Sequence, residues 1–162
     1  ADIAVIDTMS ISLGTSFLAE KALELESKGV EFSNIVNELK SLREKLNVYF
    51  IVDDLKYLAR GGRISNSVAK IGEVLNIKPI LYIKDGAIEV HSKSRGLKGA
   101  LKTLDGVIKS NNIHKLGLVK LNNETLFSEL NNRLEAEYSV DLGLVVASHI
   151  GPNAIASIFV TK

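Results

Sequence analysis

A chain of 162 residues with 46% hydrophobic and 24% charged side chains can build one sizeable core or two small ones, which excludes a disordered polymer. Its 20 basic and 19 acidic residues leave a formal charge of +1, so no global field draws it to nucleic acid or to an anionic membrane, and any anion site must be local. The absence of cysteine removes disulfides, thiolate metal ligands and a catalytic thiol and fits a cytoplasmic protein; no apolar run approaches the roughly 20 residues of a membrane span.

Ala1-Asp2 leads directly into Ile3 to Asp7, which reads as a short buried strand without a polar lead-in, as in a piece of a longer chain. A helical pattern follows from about Ser12 to Lys28, with Leu13, Phe17, Leu18, Ala22 and Leu25 on one side and Gly29 as the residue that ends it. Phe32 to Leu46 repeats the pattern through Ile35, Val36, Leu39 and Leu42, and Tyr49 to Val52 is a β-branched and aromatic strand. This βααβ order predicts the edge of an α/β layer whose helices pack on a parallel sheet.

Asp54 to Arg60 is helical, Gly61-Gly62 breaks it, and Ser65 to Leu75 is helical again. Pro79 to Lys84 and Ala87 to Ser92 alternate as strands around Asp85-Gly86, a strong two-residue hairpin signal. Helix Leu97 to Ser110, strand Lys115 to Leu121, helix Glu124 to Tyr138, strand Asp141 to Ser148 and strand Ala154 to Val160 complete the pattern.

Gly61-Gly62-Arg63 can be read two ways. Paired glycines beside an arginine and a helix start at Ser65 form a plausible anion site, because free N–H groups and a guanidinium both favour negative charge. On spacing alone the stronger reading is that the glycines make a helix corner and Arg63 is a solvated neighbour. His149 closes the apolar run Leu142 to Ala147 and precedes Ile150-Gly151-Pro152-Asn153; it either faces a ligand or caps a turn. Thr8, Ser10 and Ser12 could line a carboxylate pocket, although Ser or Thr before a helix is most often an N-cap. Arg95 ends a basic run on a solvated face. His91 and His114 read as surface residues, and no histidine spacing suggests a metal. A small hydrolase or transferase using His149 as base is the enzymatic alternative, weakened because Ser148 and His149 on one strand would point to opposite faces.

Tyr57 to Ser65 with its Gly-Gly-Arg-Ile-Ser, Leu75-Asn-Ile-Lys-Pro79, Asp7 to Gly14, and His149-Ile-Gly-Pro-Asn153 together resemble the DegV family of bacterial fatty-acid-binding proteins. Departures are Thr8, Ser16, Ile150 and Asn153, where the family pattern has Ser, Gly, Thr and Gly. The resemblance implies an α/β protein in which residues 1–52 are a remnant of an N-terminal parallel layer and 53–162 form a C-terminal mixed-sheet domain. It implies a non-enzymatic protein that binds a long-chain fatty acid, needs no cofactor, and presents the carboxylate to a fatty-acid kinase subunit. By the same resemblance His149, Thr8 and Ser12 belong to the carboxylate side, and Arg63, Arg95, Gly61 and Gly62 to anion binding or partner docking. The family's Thr-Ser-Gln-Pro-Ser and Ser-Gly-Thr motifs are not found in this sequence. A cut apolar surface would favour homo-oligomers, and a lipid ligand allows peripheral contact with a membrane.

Overall fold

A computed structural model describes residues 2–65, 68, 71 and 76–162. Within them the order is α1 (Leu13–Ser27), α2 (Phe32–Glu44), β1 (Leu46–Val52), α3 (Lys56–Arg60), β2 (Ile77–Lys84), β3 (Ala87–Arg95), α4 (Gly96–Lys109), β4 (Ile113–Leu121), α5 (Glu124–Leu134), β5 (Tyr138–Asp141), α6 (Leu144–Ile150) and β6 (Ala154–Thr161). The strands form one mixed sheet in the order β3-β2-β1-β6-β4-β5. Only β4 and β5 pair in parallel; β1 lies antiparallel to both β2 and β6. The sheet thus includes Leu46–Val52, the segment that the expected division after Val52 placed with the N-terminal layer. No described helix is long and apolar enough to cross a membrane.

Alternation along the strands sends side chains to two separate cores. Val48, Phe50, Val52, Leu81, Val119, Ala154 and Ile158 face one way, toward Leu13 and Phe17 of α1, Leu55 and Leu58 at α3, and Ile150 of α6. Ile51, Ile80, Leu118, Ile155 and Phe159 face the other way and are covered by Ala100, Leu101 and Leu104 of α4 and by Phe127 and Leu130 of α5. Each such large side chain is worth about 1.5–3 kcal/mol on burial.

The hairpin forms as its sequence predicts. Asp85 and Gly86 take φ of 50° and 77°, the left-handed pair that a tight two-residue turn requires, and Lys84 pairs with Ala87. Two expected strands do not form. Residues 3–7 have no ladder partner among the described residues, and Ile3 and Val5 stand 86% and 95% exposed; a strand needs a neighbour more than it needs apolar residues. The run from Leu142 to Ala147 also leaves the sheet. β5 ends at Asp141, opposite Lys120 near the end of β4, and Gly143 then starts α6. The expected helix over 65–75 falls mostly on residues 66, 67, 69, 70 and 72–75, outside the described residues.

Gly117 carries the approach of α1 to the sheet. A Cβ there would meet Leu13 Cδ1 at 2.4 Å and Phe17 Cζ at 3.2 Å. Beside it, Lys115 Nζ lies 5.0 Å from the ring centroids of both Phe17 and Tyr138 and 2.7 Å from Glu20 Oε2, while the Tyr138 hydroxyl donates to the same carboxylate at 3.1 Å. Lys115 therefore ties α1 to β4 and β5 by charge and by ring contact.

Candidate functional site

On the α1 side of the sheet, α3 and α6 stand away from the strands and leave a cavity of about 610 Å³, a size usual for a small-molecule site. Its floor is built from alternate strand residues, among them Val48 and Phe50 of β1, Val119 of β4, and Ala154, Ala156 and Ile158 of β6. The two alanines matter. Ala156 lies between Phe50 and Val119 on the ladders, and its short side chain leaves open space where a leucine would complete the core.

Among the described lining residues, four carry polar side-chain groups: Ser12, Arg63, Lys120 and His149. Lys120 is already neutralised. Its ammonium pairs with Glu124 and, at 3.1 Å, with Asp141, and lies 5.8 Å from the Phe127 ring centroid. The hydrogen bonds to Glu124, first, and to Asp141 raise its pKa. Ser12 stands at the N-cap position of α1 with φ 52°, but its hydroxyl caps nothing, so the expected N-cap bond is absent. Arg63 is exposed at the rim, where its guanidinium Nη1 donates to Gly61 O at 2.5 Å.

His149 sits in the last turn of α6, half-buried, in the wall of the cavity. It lies on a helix and not at a strand end, because β5 stops at Asp141 and the chain turns into α6 after Gly143. Two glycines set its place by a reciprocal contact. A Cβ on Gly61, at the end of α3, would lie 3.1 Å from His149 Nδ1; a Cβ on Gly151, at the end of α6, would lie 2.7 Å from Tyr57 Cδ2 of α3. Each helix ends in a glycine that receives a ring from the other. Gly151 also needs its φ of 89°, which an L side chain resists.

The turn after His149 is fixed by two asparagines. Asn153 Nδ2 donates to Asp53 Oδ2 at 2.6 Å, and Asn122 Nδ2 donates to Pro152 O at 2.5 Å. Lys78 Nζ donates to Asp53 O at 2.7 Å and lies 3.4 Å from Oδ1. At Asn153, one of the departures from the family motif, the side chain thus anchors the turn to the end of β1.

The structure brings together Ser12, Gly61, Gly62, Arg63 and His149. Thr8 is elsewhere: its hydroxyl is 3.2 Å from Ser10 O and from Thr15 Oγ1, and it lines a second cavity of about 500 Å³ beside β1 and β2. Arg95 is exposed at the far end of β3, seven residues past Ile88 of the cavity wall, or roughly 23 Å along a strand. Sequence reasoning missed the floor; its signal is the spacing of small Ala154 and Ala156 against large Ile155 on the other face. Among the described residues no cluster of His, Asp or Glu could hold a metal. Ser148, next to His149, is exposed with its hydroxyl donating to Val145 O at 2.7 Å. The hydrolase alternative therefore lacks a nucleophile paired with His149 among the described residues.

Fold and cavity together define an α/β protein with an apolar cavity between one face of a mixed sheet and two short helices. All 162 residues match the family model described as "Uncharacterised protein, DegV family", and the chain belongs to the DegV family. A DegV domain-containing protein of Clostridium perfringens is 32% identical over 98% of this chain and 58% of its own length. The crystal structure of a fatty acid binding DegV family protein from Streptococcus agalactiae superposes with a TM-score of 0.89 at 32% identity, covering 98% of this chain and 60% of that one. The Streptococcus pneumoniae Fatty Acid Kinase (Fak) B3 protein, loaded with linoleic acid, shares the fold with a TM-score of 0.87 at 20% identity over 99% of this chain and 60% of that one. The chain thus spans about three fifths of the length of these proteins.

Proposed function

We propose that this chain supplies the acyl-chain compartment of a fatty-acid site and presents the carboxylate end to a kinase subunit at the rim formed by Gly61, Gly62 and Arg63. The observation that carries this reading is an apolar cavity of about 610 Å³ whose wall includes one ionisable side chain, His149, with no hydrogen-bond partner among the described residues. The fatty acid binding named for the S. agalactiae relative supports the ligand class. The kinase step rests on the family resemblance and on the exposed position of Arg63 beside the opening.

Magnitudes divide the work. Burying a methylene is worth about 0.8 kcal/mol, so a dozen give a gross term near 10 kcal/mol before the cost of association. A charge-assisted hydrogen bond from His149 adds about 1.5–3 kcal/mol. Enclosure sets affinity, and the polar rim sets which end faces out. Ser12, also in the wall, is a second donor to the carboxylate; Thr8, committed to Ser10 and Thr15, is left as a support of the loop before α1.

Lipid extraction and mass spectrometry of the purified protein test the ligand. The His149→Ala variant should bind the acid roughly ten- to a hundredfold more weakly, whereas Arg63→Ala should keep the acid and lose phosphoryl transfer to it by the kinase. Absence of fatty acid from the unmodified protein, together with no uptake of added acid, would refute the reading.

A further inference from the structure

The apolar cavity meets a second one at one particular place. Of the described residues that line it, only Val48 and Ile83 also line the second cavity of about 500 Å³ beside β1 and β2. They meet because the sheet opens there. β1 and β2 are laddered at Tyr49↔Tyr82 and Phe50↔Leu81, and continuing that register would set Val48 opposite Ile83, where no rung forms. Val48, at 4% exposure, belongs to the core on the cavity face, and half-buried Ile83 packs against that core. On the far side the lining changes character, with Arg43, Glu44, Lys84 and Asp85 among its residues.

The position of this pair along the sheet gives it a function. Val48 is the ladder partner of Ile158, and the floor runs from Ala154, beside the turn that follows His149, through Ala156 to Ile158. Four residues of strand cover about 13 Å. An extended chain advances about 1.25 Å per methylene, from carbon–carbon bonds near 1.5 Å, so roughly ten methylenes separate the His149 end from the Val48–Ile83 pair. The geometry points to Val48 and Ile83 as the residues that limit acyl-chain length: they close the apolar compartment against a polar one, and a tail that reaches them must turn back or push them apart. This inference rests on the fatty-acid reading above and adds the specificity determinant to it.

The test is a binding series with saturated fatty acids from about 8 to about 20 carbons, competed against a fluorescent acid on the unmodified protein, Ile83→Ala and Ile83→Phe. Ile83 is half-buried, so both substitutions spare the central core. Affinity in the unmodified protein should rise about fourfold per methylene up to a ceiling. Ile83→Ala should move that ceiling to longer acids and Ile83→Phe to shorter ones, with acids well below the ceiling bound as before. Unchanged profiles in both variants, or equal weakening at every length, would overturn the partition while leaving fatty-acid binding intact. Failure of every acid to bind the unmodified protein would overturn the fatty-acid reading itself, and the partition with it.

Discussion

Ala156→Leu separates a ligand cavity from a filled core, because with a cavity acid affinity and stability should change in opposite directions. Ala156 lies in the cavity floor between Phe50 and Val119. Leucine adds about three carbons there, displacing about three methylenes of an acyl chain, or ~2.4 kcal/mol. Acid affinity should fall roughly fiftyfold. In the empty protein the same carbons fill unoccupied space instead of overpacking it, so stability should rise by up to about 2 kcal/mol, which at this chain length is a Tm gain of several degrees. Fluorescent-acid displacement and a thermal melt without added lipid read the two effects on one sample. Unchanged affinity would remove the floor from the site. A Tm loss of the size expected from about 1–3 kcal/mol of overpacking would show that the space is not there.

Gly61→Ala should displace His149 at little cost to the fold. The new Cβ would lie 3.1 Å from His149 Nδ1, while the backbone at Gly61 has φ of −76°, a helical value at which alanine gains about 0.5–1 kcal/mol over glycine. Near-constant Tm with several-fold weaker acid binding and shifted His149 ring resonances is expected; unshifted resonances would count against the reciprocal glycine contact. The attachment of α1 should depend on acidity. The Lys115 hydrogen bond, opposed by slight burial and aided by Tyr138, holds the Glu20 carboxyl below its ordinary value of 4.5. A depressed carboxyl contributes stability that is present above the unfolded value and lost as pH falls through the folded one. Amide exchange in α1 should therefore rise as the pH drops below about 4.5, and Glu20→Gln should abolish that dependence; an unaltered pH profile in this variant would assign it to other groups.

The parts of this fold that the sequence announces are those decided locally. Asp85-Gly86 names its own turn, Gly29 ends α1 with φ of 69°, and the apolar spacing of α1 and α2 gives their buried faces. What failed was decided by partners. Ile3 to Asp7 and Leu142 to Ala147 are both largely apolar, yet neither forms a strand: the first has no ladder partner among the described residues, and the second leaves the sheet after Asp141 and turns into α6. Apolar periodicity reports burial and is silent about which surface does the burying.

The site divides in the same way. His149, Arg63 and the two glycines could be named from their motifs, but the contact that joins Gly61 to His149 is a long-range fact of packing. Arg95 is the opposite case, since its basic run is adjacent to the helix start in sequence and remote from the cavity along β3. The alanine floor carries no chemistry to flag it; a missing side chain is visible only once its neighbours are in place.

The exchange of rings between α3 and α6 also bears on time. With Tyr57 seated on Gly151 and His149 seated on Gly61, neither helix can lift without withdrawing a ring from the other, so the two short helices open as a single cooperative unit. Their departures from the sheet are joined too, through Asp53 at the end of β1 and Asn153 at the start of β6. The rim of the cavity is consequently a door with one hinge region. For a ligand that enters past this pair, the entry rate would be set by how often the pair opens, and two binders of very different affinity would share it.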